Sequence, residues 1–220
     1  MKKEVVFILV STLFGGLFAS CSANQGFVSS LTSSDISQML QFEPMAYVGT
    51  IEKNEKFTYH DSLSNEAKRL FNKEVLQSNT FPITGNISIE DSLINLRVQS
   101  EIYVLMSKIE NSVRYKGIPI PPTIDSILEA KNERFGLLTY NWGLTQTSGN
   151  YPSGSQIAIN TMGKIYRIPC EDMTRSDIVI VDSQNNNLVY VATAHSSNCD
   201  PLNADTYRKQ KVVLLKKYRK

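Results

Sequence analysis

A hairpin late in the chain sets the first limit on the fold. Residues 178–181 (IVIV) and 188–191 (LVYV) are apolar runs, and the stretch DSQNNN between them has the composition of a turn. Two such runs joined by turn chemistry pair antiparallel. Upstream, period-two and helical patterns alternate. Residues 45–51 read as a strand, and residues 62–77 as a helix capped by Asp61 or Ser62, with Leu63, Ala67, Leu70, Phe71 and Val75 on its apolar face. Residues 81–89 read as extended, broken at Gly85-Asn86. Asp91 or Ser92 then caps a helix in which Ile94, Val98, Ile102, Leu105 and Ile109 recur at spacings of three and four. Pro119, Pro121 and Pro122 force a loop. A short helix over 123–131 and a buried strand over 135–142 follow, and residues 204–218 read as a closing helix. The order predicts an α/β (mixed α+β) fold: one domain, a mixed sheet flanked by helices, ending in the hairpin and a C-terminal helix.

Residues 143–164 differ from this pattern. Gly143, Gly149, Gly154 and Gly163 are mixed with Ser, Thr, Asn and Gln, which reads as a long, functional or mobile loop. Residues 22–40 are rich in Ser, Asn, Gln and Gly and read as a flexible tether, ending in a short helix near 35–40.

The hairpin also bears on the cysteines. With Val181 opposite Leu188, an unbroken ladder brings Cys170 opposite Cys199, close enough for a disulfide. Such a bond constrains the unfolded chain by roughly 3.5 kcal/mol on the entropy model. Two unrelated thiols are the competing reading.

The first twenty residues carry an export signal. Lys2 and Lys3 form a positive end, residues 5–18 are mostly apolar, and small residues, Ala19 and Ser20, precede Cys21. The run is short for a membrane span, which needs about 20 apolar residues. Phe18-Ala19-Ser20-Cys21 resembles the lipobox of bacterial lipoproteins, with Phe18 where that family usually has Leu. The resemblance implies cleavage before Cys21 and a diacylglyceryl thioether on its sulfur, an anchor of two or more acyl chains. No acidic residue lies in 22–26. By the sorting rules of such proteins, that implies the outer membrane, facing the periplasm. The expected divisions are therefore a signal peptide at 1–20, a tether at 21–40 and a single periplasmic domain at 41–220.

Charge is nearly balanced, with 23 Lys and Arg against 21 Asp and Glu, which gives no case for nucleic-acid binding. Nothing after Cys21 is long and apolar enough for a second span. There is no phosphate loop, no nucleophile elbow, no calcium loop and no zinc spacing, and no cofactor or metal is expected. His195 near Cys199 invites a Cys–His nucleophile, which a disulfide would forbid, and His60 reads as part of a helix start.

Four further features carry candidate functions. Asp61-Ser62-Leu63, Asp91-Ser92-Leu93 and Asp125-Ser126-Ile127 resemble an O-glycosylation sequon of exported proteins; the resemblance implies Ser62, Ser92 and Ser126 as acceptors, while ordinary helix capping explains the same residues. Tyr140, Trp142, Tyr151 and Tyr166 could form a ligand platform or part of the core. The last thirteen residues hold seven Lys and Arg, either a patch for lipid phosphates or acidic polymers or a solvated helix end. Finally, the order of elements from 43 to 218 is similar to the periplasmic lipoprotein domains of the curli-secretion and penicillin-binding-protein-activator type. The leading expectation is a non-catalytic, lipid-anchored accessory or scaffold protein that binds another envelope component, not an enzyme. A glycan- or small-ligand-binding lipoprotein and a hydrolase with an unrecognised site are the alternatives.

Overall fold

A computed structural model describes residues 22–51, 57–77, 80–146, 156–161, 164–169 and 172–218. Ten strands are present among these residues: β1 (Ser22–Phe27), β2 (Met39–Gln41), β3 (Met45–Ile51), β4 (Phe57–Tyr59), β5 (Ile83–Asn86), β6 (Phe135–Gln146), β7 (Gln156–Thr161), β8 (Lys164–Pro169), β9 (Met173–Asp182) and β10 (Asn187–Ser197). Four helices accompany them: α1 (Asp61–Phe71), α2 (Ser92–Asn111), α3 (Pro122–Ala130) and α4 (Ala204–Leu215). Eight strands form one mixed sheet in the order β1-β10-β9-β6-β2-β5, with β3 beside β6 and β4 beside β3; β7 and β8 pair separately. The fold is mixed α/β, as the element order implies.

The middle strands explain why helices are needed on both sides. Residues 176–182 of β9 are all buried, so neither face of that strand meets water. On one face, Ile178, Ile180, Ala192 and Ala194 pack against Ala67, Leu70 and Phe71 of α1 and Tyr207, Leu214 and Leu215 of α4. On the other, Leu138, Tyr140, Val179 and Val191 pack against Val98, Ile102, Leu105 and Ile109 of α2 and Ile124 and Leu128 of α3. The result is a three-layer sandwich with two cores.

Several expected elements match in position, and their ends show the local causes. The Asp91 carboxylate accepts from the backbone N–H groups of Leu93 (2.8 Å) and Ile94 (3.1 Å), capping α2 as expected. At α1 the cap residue is His60, not Asp61 or Ser62. There the Ser64 hydroxyl turns back to the His60 carbonyl and also accepts from the Val48 N–H, tying the helix start to β3. Asp125 and Ser126 lie inside α3, which begins at Pro122, where a missing N–H costs nothing.

Three expectations are corrected. Residues 22–40 are not a tether. β1 pairs with β10 from Ser22↔His195 to Phe27↔Tyr190, and Phe27, Leu31, Ile36 and Met39 belong to the first core. Polar composition misled because an edge strand needs only one paired side and few apolar residues. The ladder of β9 and β10 is also not unbroken. Val181 does pair with Leu188, but the next pair is Ile180↔Tyr190, with Val189 bulged out of register. Val189 and Tyr190 both enter the first core, while Leu188 and Val191 enter the second. Beyond the bulge, every described pair of β9 and β10, as far as Ser197↔Met173, is shifted by one residue. Cys170 lies outside the described residues, and so does Cys21. Lastly, residues 143–164 are not one long loop: β6 continues to Gln146 and β7 begins at Gln156.

Candidate functional site

The edge of the sheet opposite β1 is interrupted. β2 pairs with β5 up to Gln41↔Asn86, and β3 pairs with β4 only from Gly49↔Tyr59 onward. Between them, residues 42–48 have no strand on their outer side among the described residues. Val48 is served there by other groups: its carbonyl accepts from the His60 N–H (3.1 Å) and its N–H reaches the Ser64 hydroxyl (2.9 Å). Ala46 sits two residues earlier and so presents its N–H and C=O on the same outer edge.

A cleft lies over this gap, walled by α1 on one side and α2 on the other. A cavity of about 140 Å³ is lined by Ala46, Tyr47, Tyr59, Asn65, Asn95 and Gln99, among others. It shares Glu43, Pro44, Asn65, Lys68 and Ile89 with an adjoining depression of about 470 Å³ that runs past Asn72, Asn86 and Ser88. At the rim, Lys68 bonds Glu43 at 2.7 Å. The lining thus offers an open backbone edge, aromatic rings, amides and one ion pair.

The rings form a group. Tyr47 lies 5.7 Å from Tyr59 and 5.8 Å from Tyr140, and Tyr140 lies 6.5 Å from Tyr103 on α2. Burial raises the Tyr47 phenol above its ordinary pKa, with Tyr59 and Tyr103 adding to the effect. Tyr140 is buried and its phenol is raised further, first by burial and then by Asp177.

The same sheet face continues into a charged patch. Tyr47, Trp142, Arg175, His195 and Ser22 are successive cross-strand neighbours on β3, β6, β9, β10 and β1. Arg175 holds Asp177 through two bonds (2.9 and 3.2 Å) and Glu110 at 3.0 Å. The Thr193 hydroxyl donates to Asp177 at 2.6 Å. Burial pushes the Asp177 carboxyl up, against Arg175 and Thr193, which favour its ionised form. Burial, and then the Arg175 cation, hold His195 below the usual imidazole value. In this arrangement the charges satisfy one another beneath the end of α2.

The structure separates the four aromatic residues singled out from sequence. Tyr140 is core, Trp142 is half-buried in the row just described, and Tyr166 lies on the separate β7–β8 pair. Tyr151 is outside the described residues. Ser62, Ser92 and Ser126 are all exposed. Among the described residues there is no cluster of three or more His, Cys, Asp or Glu able to hold a metal, and no helix is long and apolar enough to cross a membrane.

Sequence reasoning missed Tyr47, Tyr59 and Tyr103, which come from three elements. Arg175 and Asp177 carried a usable signal: two charges at alternate positions of a strand share one face. Their third partner, Glu110, is sixty-odd residues away in sequence, and no spacing rule reaches it.

No family model matches the chain, and no curated protein matches it. Among solved structures it is similar to the PelC dodecamer from Paraburkholderia phytofirmans, with a TM-score of 0.40, 8% identity, and coverage of 90% of this chain and 99% of that one. A variant of that PelC in a second crystal form gives a TM-score of 0.39 and 7% identity, with coverage of 89% and 98%. Likeness this weak carries nothing about function.

Proposed function

We propose that this protein is a lipid-anchored accessory protein of the cell envelope, held by Cys21, that binds an extended segment of another envelope protein in the cleft between α1 and α2. The lipobox-like residues before Cys21 support the anchor. The observation that supports the cleft is the gap in the sheet edge at residues 42–48, where Ala46 offers a backbone donor and acceptor beside an existing cavity. An added strand completes such an edge, with main-chain hydrogen bonds supplying affinity and neighbouring pockets supplying specificity. Shape argues the same way. The cavity of about 140 Å³ runs on into the open depression of about 470 Å³, a groove along the edge rather than a pocket that encloses a drug-sized ligand. It suits one or two side chains of a segment laid along the edge.

A photo-crosslinking residue at Asn95, inside the cleft, tests this in intact cells. The expected result is a discrete protein adduct that is weakened by Glu43→Lys and missing when the crosslinker stands at Lys209 on α4. The same adducts from both positions would overturn the reading. A second reading, a saccharide ligand, is favoured by Tyr47 and Tyr59 beside Asn65, Asn95 and Gln99. It predicts no protein adduct from Asn95, but calorimetric binding of envelope glycan fragments that Tyr59→Ala abolishes.

A further inference from the structure

We infer that the pole of the sheet next to Ser22 rests on the lipid headgroups of the leaflet that holds Cys21, so that the domain stands in one fixed orientation. This rests on the lipoprotein reading and goes beyond it. The ground is the length of chain between anchor and fold. β1 begins at Ser22, paired with His195, so no residue separates Cys21 from the sheet. Adjacent Cα atoms are 3.8 Å apart. A lipid on Cys21 therefore attaches to the edge of a rigid sheet, not to a mobile leash.

The strand directions then say which end faces the lipid. β1 runs away from Cys21 toward Phe27, antiparallel to β10. The pole at Ser22 is therefore the end of β10 and β6 and the start of β9. β7 and β8 are inserted between β6 and β9 and so leave from the same pole. Pro201 packs against Gly143, which pairs with Thr174 one step beyond the Arg175 level, and this puts the start of α4 near the level of Cys21. The end of α4 lies elsewhere. A Cβ on Gly26 would lie 3.9 Å from Lys217 Nζ, and Gly26 is five residues along β1 from Cys21, about 17 Å at strand rise. Lys217 and the end of α4 thus lie about 17 Å up the sheet from the anchor, too far for the phosphates of that leaflet to be the partner of Lys217. The cleft is at the sheet edge opposite β1, and its Tyr47 shares a cross-strand row with Ser22.

The orientation is measurable by energy transfer from tryptophan to headgroup-labelled lipids in vesicles bearing the lipidated protein. Trp142 is the single tryptophan, so the probes are Leu202→Trp, at the start of α4, and Lys216→Trp, each in a Trp142→Phe background. Transfer is expected to be several-fold stronger from position 202 than from 216. Inserting a flexible Gly-Ser linker of about 15 residues between Cys21 and Ser22, which spans roughly 20 Å, is expected to erase the difference. Equal transfer from both positions in the unmodified chain, or a difference that survives the linker, overturns the orientation. Palmitate incorporation, lost in Cys21→Ser, is read first in the same cells. Its absence overturns the anchor and the orientation together, whereas labelled protein with equal transfer overturns the orientation alone.

Discussion

Asp177 shows how much one buried group can organise. It sits within the sheet, and only Arg175 and Thr193 make its charge tolerable there, against burial and the nearby Glu110 carboxylate. Arg175→Leu leaves two carboxylates facing an apolar side chain. Breaking a buried pair from one side costs about 3–5 kcal/mol, so thermal melts of this variant should fall by many degrees. His195 reports on the same patch. Its folded-state pKa is lowered, so the neutral ring is favoured by folding. That contribution is present above the ordinary imidazole value of about 6.5 and is lost as pH falls from there through the lowered one. Melts between pH 7.5 and 5 should show stability declining, and His195→Asn should flatten the decline relative to the parent chain. An unchanged slope would mean His195 gains its proton equally in both states. From sequence, the alternation of Arg175 and Asp177 was visible, but the depth of their burial was not, because it depends on α2 arriving from elsewhere.

At the level of elements, the segments that periodicity could identify were those buried on a full face. The residues 45–51, α2 and the hairpin all follow that rule. What composition misread was β1, whose SANQGF sequence has one large apolar residue. Its hold is Phe27, which packs on Tyr190 at 5.2 Å and Tyr218 at 5.9 Å. Phe27→Ala is expected to cost about 2 kcal/mol, less than a fully buried ring, and to speed amide exchange along β1; a tether would show neither effect. α3 offers a second test. Glu101 on α2 accepts from the Thr123 N–H (3.0 Å) and hydroxyl (2.7 Å), capping α3 from a neighbouring helix. Glu101→Ala should lower stability by about 1–2 kcal/mol, as loss of a cap does, measurable by denaturant unfolding. Capping residues sought within twenty positions of each helix miss this one, since the partner is tertiary.

Across the whole molecule, the fold class was legible because alternating helices and strands leave few ways to bury both sheet faces. The cleft was not, since it arises from strands that fail to meet: β5 stops and β4 starts late. The bulge at Val189 belongs here too, as it shifts each described pair beyond it, as far as Ser197↔Met173, by one residue. If Cys170 and Cys199 are nonetheless bonded, mass spectrometry without reductant will find neither thiol alkylated, and alkylation of both would exclude the bond. Intact mass also tests Ser62, Ser92 and Ser126, whose exposed positions leave room for a glycan; a mass equal to the processed, lipidated polypeptide would rule glycosylation out.

The pairing of Ser22 with His195 also sets an order of events in time. β10 lies late in the chain and β1 early, so on the proposed export reading Cys21 would cross the inner membrane well before β10 does. Until residues 187–197 arrive, Ser22–Phe27 lack the strand they pair with, and on that reading the enzymes of lipidation would have their opening then. Once β10 docks, that access closes. On the lipoprotein reading, the late strand would act as a timer on the early cysteine: a chain that docked β10 before processing would lose its chance of being processed.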